Sequence, residues 1–255
     1  MADTTPILPL ALAALAAGTL SSAALLSYSV FSPRCQFWAS VVRGIPQRDG
    51  VALTFDDGPD PEVTPRILDI LATHGVQATF FMIGRKVEKH PEVAARVHQA
   101  GHTIGNHSLD HDHFGINRSV DYWRKQVGET QRLITEATGQ RPLLFRPPMG
   151  FKTRSLARAV REERLPIIGW SQRGYDTRPG TPDALVRKLL KRTSGHDIVL
   201  LHDGVDAQRR DAASATQRHT AEALPAYLEG LAAKDLRVLP LLEALLPAGG
   251  VQSQP

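Results

Sequence analysis

The chain reads as an α/β protein: a distorted (β/α) barrel of about seven parallel strands, preceded by an N-terminal membrane helix. Three observations predict this. From Gly50 to about Leu246, short β-branched or aromatic runs alternate with amphipathic stretches, the pattern of a parallel sheet covered by helices. The alternating region, residues 44–247, is the right length for one barrel rather than two domains. A charge-free leader stands in front of it.

That leader is residues 4–33, which contain no Asp, Glu, Lys or Arg. About 20 apolar residues span a bilayer, and no basic residue precedes Arg34 as a cleaved signal peptide would require, so an uncleaved membrane helix is expected. Pro6, Pro9, Gly18 and several serines dilute the stretch, and a buried Ala-rich leader is the alternative. Arg34, Arg43 and Arg48 follow the segment, which by the positive-inside rule favours a cytoplasmic domain. Residues 1–43 are read as anchor and juxtamembrane linker, 44–247 as the folded domain and 248–255 as a flexible tail.

Within the domain, strands are expected at Val51–Phe55, Ala78–Ile83, His102–Asn106, Leu143–Phe145, Pro166–Trp170, Asp197–Leu201 and Leu236–Leu239. Helices are expected between them, at Thr64–His74, Pro91–Ala100, Ser119–Thr138, Thr153–Glu163, Thr181–Arg192 and Arg218–Ala233. Gly75, Gly101 and Gly139 stand where helices end, and Pro65 and Pro91 fall in first turns.

Composition excludes several functions. Lys and Arg number 30 against 26 Asp and Glu, with no basic block interleaved with aromatics, so nucleic acid is not an expected partner. The one cysteine, Cys35, excludes an intramolecular disulfide and any CxxC zinc cluster. Ser32-Pro33-Arg34 is not a lipobox, so no lipid anchor is expected there. Any metal must sit on His and carboxylates.

In a barrel, chemistry belongs at the C-terminal strand ends, and the polar clusters fall there. Asp56 and Asp57 follow the first strand; on an extended backbone their side chains diverge, so one could bind a metal while the other faces substrate. Asp-Gly-Pro is also ordinary turn chemistry. His107 and His111 are four apart, a spacing that sets two imidazoles on one face of a helical turn. His113 competes, since on an extended backbone it would share a face with His111. His202 ends a buried-strand pattern, where it could serve as acid or base or be a core histidine capped by Asp203. Arg146, stiffened by Pro147 and Pro148, could clamp a carboxylate or form a surface pair.

Together these strings resemble the polysaccharide deacetylase family, the carbohydrate esterases that share the NodB homology domain, from about Val51 to Leu242. Thr54-Phe55-Asp56-Asp57-Gly58-Pro59 is similar to the first family motif and His107-Ser108-Leu109-Asp110-His111 to the second. Arg146-Pro147-Pro148-Met149-Gly150 resembles the third, and Leu200-Leu201-His202 the last. The resemblance implies hydrolysis of acetamide carbon–nitrogen bonds, not peptide bonds, in N-acetylglucosamine-containing glycans such as peptidoglycan or chitin-like oligomers. It implies one divalent ion, Zn2+ being the expected one, held by Asp57, His107 and His111. It makes Asp56 the general base, His202 the general acid, Arg146 and Asp176 their partners, and the Met149 N–H an oxyanion donor. Leu200 and Trp170 would line the acetyl pocket, with Pro147 also touching substrate.

Two positions depart from the family: Met149 stands where Tyr is common, and no Trp follows Asp176. Alternative readings are a deacylase or deformylase of a lipid-linked sugar at the membrane and a catalytically silent carbohydrate-binding domain. A silent member would be expected to lose the base or the acid, whereas Asp56 and His202 are both present. A wall-glycan substrate implies an extracytoplasmic domain, against the basic flank.

Overall fold

The computed structural model describes residues 24–245 apart from 33 and 206–209, with backbone alone at 210–218. The chain runs α1 (24–31), β1 (Val41–Val42), β2 (Gly50–Gly58), α2 (Val63–Thr73), β3 (Thr79–Met82), α3 (Gly84–Lys89), α4 (Pro91–Gln99) and β4 (Thr103–Asn106). It continues through α5 (Val120–Thr138), α6 (Arg154–Glu162), β5 (Ile167–Ile168), β6 (Gln172–Arg173), α7 (Pro182–Arg192), β7 (Ile198–His202), α8 (Arg210–Ala232), β8 (Arg237–Val238) and α9 (Leu241–Ala244). The expected leader helix and tail lie largely outside the described residues. Among those described, no helix is long and apolar enough to cross a membrane.

The strands pair in parallel in the order β4-β3-β2-β7-β6. Parallel bridges from Asn106 to Phe145 and from Phe145 to Ile167 carry the ring onward to β5, and the segment from β5 into β6 returns it to β7. The barrel is therefore closed by one chain segment that pairs on opposite sides with its two halves. The strand expected at Leu143–Phe145 is reduced to the Phe145 bridge, and β1, β6 and α3 were not foreseen. Two-residue strands and a six-residue helix are too short to show a period.

Alternation along β2 divides its side chains between two of the core clusters. Val51, Leu53 and Phe55 belong to the cluster under the outer helices, with Ile67, Leu71, Leu224 and Leu231. Ala52 and its neighbours Phe81, Ile198 and Leu200 pack inside the barrel, closed by Leu241 and Ala244 of α9. β2 is covered on both faces and buried at every position, which is why Val51–Phe55 reads as a nearly unbroken apolar run. The inward face of β2 passes from Ala52 to Thr54 and Asp56, so along this strand the polar groups stand near the mouth.

The helix starts follow local chemistry. Ser119, Thr153 and Thr181, where three of the expected helices begin, accept hydrogen bonds from the backbone N–H groups of Tyr122, Leu156 and Ala184 and so cap α5, α6 and α7. Gly139 ends α5 at φ 75°, a conformation that costs glycine little.

Candidate active site

The parallel register lines up the chemistry. Asp56 on β2 is level with His202 on β7 and Phe81 on β3. Asp57 follows at φ 70°, where a register shift between Asp56 and Gly58 bulges the strand. This turns its carboxylate back toward the same space that Asp56 faces. The divergence expected of an extended pair does not occur: His107 Nε2 lies 3.6 Å from Asp56 Oδ2 and 3.5 Å from Asp57 Oδ1. The strained geometry persists because neighbours over-determine it. Lys86 Nζ donates to the carbonyls of Asp57 (2.5 Å) and Val205 (2.6 Å), and a Cβ on Gly204 would lie 2.0 Å from the Asp57 carbonyl oxygen.

His107 and His111 meet as the spacing suggested but not on a helix. Ser108 and His111 both have positive φ (66° and 52°), so the loop doubles back and sets the two rings 4.9 Å apart. Polar side chains that were not foreseen hold this loop. Asn106 accepts from the Ser108 N–H through Oδ1 and donates through Nδ2 to Val127 O and Gln131 Oε1. Gln126 Oε1 accepts from the N–H groups of Leu109 and Asp110. The available signal was Gln126, Thr130 and Gln131 interrupting the apolar buried stripe of α5.

Asp57, His107 and His111 each offer a ligand atom, all within 4.8 Å of one another and all buried. Asp57 Oδ1 faces His111 Nε2 at 3.3 Å, yet this buried oxygen accepts no hydrogen bond. Burial pushes the Asp57 carboxyl up, but His111, His107 and His202 outweigh that and hold it well below the usual carboxylate range. His107 Nδ1 lies 2.7 Å from the Arg146 carbonyl; donation there leaves Nε2 with its lone pair toward Asp57. An anionic oxygen and two imidazoles, with an outer carbonyl fixing one tautomer, fit a divalent cation. His113 lies beside His111 at 5.1 Å between rings but is not one of the three convergent groups.

Adding Zn2+ at about 100 times its Kd should stabilise the chain by about 2.7 kcal/mol, raising Tm by about 5–10 °C. Chelator should reverse the shift and Asp57→Asn should abolish it. An equal shift in Asp57→Asn would remove this site from consideration.

Behind the carboxylates, Arg146 is fully buried rather than in a surface pair. Its Nη1 donates to Asp56 Oδ1 (2.6 Å) and Thr54 Oγ1 (2.8 Å), its Nη2 to Gly169 O (2.9 Å) and its Nε to Ile168 O (3.3 Å). The guanidinium also lies 4.1 Å from the Phe81 ring centroid. His202 is held by Asp176, whose Oδ1 is 3.0 Å from Nδ1 while Oδ2 accepts from the His202 N–H (2.8 Å) and Thr220 Oγ1 (2.9 Å). Burial alone would lower the His202 pKa, but the charge and hydrogen bond of Asp176, aided by Asp57 and Asp56, raise it to about 9. Asp203 does not cap His202; its Oδ2 accepts from Thr64 Oγ1 at 2.6 Å, and burial pushes its carboxyl up to about 7.

The predicted residues meet in one cleft, lined by Asp56, Asp57, His107, His111 and His202 with Pro147, Met149, Trp170 and Leu200 on its walls. Arg146 and Asp176 stand behind it. Trp170 serves both the wall and the inner core, and it packs so closely under Gly150 that a Cβ there would lie 2.6 Å from its ring. Met149 is half-exposed in the left-handed region at φ 55°.

This barrel and cleft define a hydrolase-type site at the ends of parallel strands, and the comparisons name its family. The pattern described as Polysaccharide deacetylase matches residues 43–167. The chain is 36% identical over 153 residues to a peptidoglycan-N-acetylglucosamine deacetylase of Bacillus cereus, the match covering 60% of this chain and 55% of that protein. It is 35% identical over 195 residues to a chitooligosaccharide deacetylase of Bradyrhizobium, covering 75% of this chain and 88% of the relative. A crystal structure of a pseudoenzyme of carbohydrate esterase family 4 from Bacillus anthracis superposes with a TM-score of 0.72 at 28% identity, covering 81% of this chain and 69% of that one. The chain belongs to the polysaccharide deacetylase family. Because the same fold also carries a pseudoenzyme, activity must be argued from the side chains.

Proposed function

We propose that the protein removes N-acetyl groups from N-acetylglucosamine units of a glycan, either peptidoglycan or a chitin-like oligomer. The observation that carries this is the meeting, in one cleft, of Asp56, Asp57, His107, His111 and His202, with Arg146 behind Asp56 and Asp176 behind His202. Asp56 and His202, the base and the acid that a silent member would be expected to lose, both line the cleft, so the silent-domain alternative is not favoured.

Asp57, His107 and His111 would hold the divalent ion. Bound there, it would polarise the acetyl carbonyl and make water a better nucleophile at neutral pH. Asp56 Oδ2 takes a proton from the attacking water, while Oδ1 stays fixed by Arg146. The water oxygen bonds to the acetyl carbon, and the Met149 N–H donates to the resulting oxyanion. His202, whose Nδ1 is engaged by Asp176, delivers a proton from Nε2 to the amide nitrogen as the carbon–nitrogen bond breaks. Acetate and a free amine leave. Pro147, Trp170 and Leu200 shape the apolar wall that receives the acetyl methyl.

The test is acetate release from N-acetylglucosamine oligomers and from peptidoglycan by the zinc-loaded chain. Folded, metal-loaded protein that releases none from either substrate would end this reading.

The His202–Asp176 pair also sets a pH dependence. In the folded chain His202 titrates near 9, whereas an unfolded histidine titrates near 6.5. The folded state therefore holds the proton more tightly, and the stability it contributes is complete below about pH 6.5 and lost as pH rises through about 9. Activity that needs this proton should fall on an alkaline limb set lower than in the metal-free chain, because a bound cation offsets the charge of Asp57. Asp176→Asn should move that limb toward lower pH and flatten the stability loss in chemical denaturation of metal-free protein. An unmoved limb would exclude His202 as the titrating acid.

A further inference from the structure

One wall of the cleft concentrates cations, and the carboxylate beside them, Asp176, is already engaged by His202 and Thr220. Tyr175, at φ 59° in the loop after β6, has three of them around its ring: Arg173 at 4.0 Å from the centroid, Lys188 at 4.1 Å and Arg178 at 4.9 Å. One cation over a ring is stabilising, but three also repel one another. None of these, nor Arg192, pairs with a carboxylate among the described residues. Crowding is visible in their ionisation: the Lys188 ammonium is pushed below its ordinary value by burial and then by Arg192, Arg178 and Arg173.

This wall continues into a second cavity, which shares Trp170, Arg173 and Tyr175 with the catalytic cleft. The rest of its charge comes from Arg34, Arg43 and Arg192, and no Asp or Glu lines it. Arg43 is fixed there by donation from Nε to the Trp170 carbonyl at 3.1 Å, and burial together with Arg34 lowers its pKa. The register of β6 on β7 sets Arg173 beside Leu200, two residues before His202, so the cationic wall begins next to the reacting centre. Clustered like charges beside a cleft raise the local concentration of anions, and guanidinium forks match carboxylate and phosphate oxygens.

We infer that this wall is an anion subsite, which receives a carboxylate or phosphate carried by the glycan beside the sugar that loses its acetyl group. The inference rests on the deacetylase reading and narrows its substrate to acidic rather than neutral glycans. Discrimination comes from electrostatics at a solvent-accessible surface, so it must weaken with salt.

Calorimetric binding to the zinc-loaded full chain in detergent provides the test, with three probes. These are a peptide-free peptidoglycan tetrasaccharide with free carboxylates, a nucleoside-diphosphate N-acetylglucosamine and neutral chitotetraose. At about 50 mM salt the best anionic probe should bind about tenfold more tightly than chitotetraose, a gap of about 1.4 kcal/mol that narrows at about 300 mM. The probe that shows the gap identifies carboxylate or phosphate as the group received. Arg34→Gln with Arg192→Gln should shrink the gap, and Arg34→Lys with Arg192→Lys should keep it. Equal affinity for all three probes at low salt, or a preference that survives both glutamines, would overturn the inference. Acetate release measured in parallel separates the two ideas. Equal turnover of acidic and neutral oligomers sinks the subsite alone, whereas selective anion binding with no turnover of any oligomer sinks the deacetylase reading alone.

Discussion

Asp56→Asn should lower acetate release by about 10²–10⁴-fold, the usual contribution of a positioned general base. The substitution keeps the shape of the side chain and can still accept a hydrogen bond from Arg146, but an amide cannot take a proton from water. Asp56 Oδ1 is fixed by Arg146 at 2.6 Å, which leaves Oδ2, 3.6 Å from His107 Nε2, as the basic atom facing the cleft. Metal content should be retained, because the three convergent ligand groups are Asp57, His107 and His111. Steady-state kinetics with zinc analysis on the same preparation would check both. Activity within threefold of the parent would assign the base to another residue, and metal loss in parallel would make Asp56 a ligand.

The largest stability effect is expected at Arg146. Arg146→Met should destabilise the fold by about 3–5 kcal/mol, because it strands the Asp56 charge in a buried site. The residue has no exposed surface, and its guanidinium satisfies Asp56, Thr54 and the carbonyls of Ile168 and Gly169 together. Methionine can fill the space beside Phe81 but donates to none of them. For a domain of this size that loss corresponds to a Tm lower by about 6–20 °C. The double variant Arg146→Met with Asp56→Asn should recover part of the loss, since removing both charges leaves no uncompensated ion. Urea unfolding of the single and double variants forms the cycle; additive losses would mean that the pair does not couple. Arg146→Lys keeps a charge but has no planar fork, so it should fall between parent and Arg146→Met.

Legibility in the sequence followed the physics of each feature. The long parallel strands β2 and β7 were readable because burial on both faces makes them nearly continuous apolar runs, and α5, α6 and α7 because an amphipathic period is a local property. Asp56, Asp57, His107, His111 and His202 stood out as polar residues at strand ends. Their geometry was less readable. Neither the bulge that swings Asp57 into line with Asp56 nor the non-helical turn between His107 and His111 follows from spacing, because positive φ at Asp57, Ser108 and His111 is imposed by packing. Asn106, Gln126 and Gln131 passed unnoticed because their partners meet only in the fold: Gln126 on α5 satisfies the N–H groups of Leu109 and Asp110, while Asn106 ties the Ser108 N–H to Gln131 and the Val127 carbonyl.

What the sequence by itself determined is the inventory and its order: a parallel α/β barrel, one cysteine that leaves metal binding to His and Asp, and polar residues placed just past buried strands. Side-chain type and hydrophobic period are local properties, and they sufficed for that. What only the tertiary structure decided is who faces whom. Arg146 reaches Asp56 across 90 residues, Asp176 reaches His202 across 26, and Arg34, Arg43 and Arg192 come to share one cavity wall. Charge pairing and desolvation act through space, so the roles of these groups exist only once the barrel has closed.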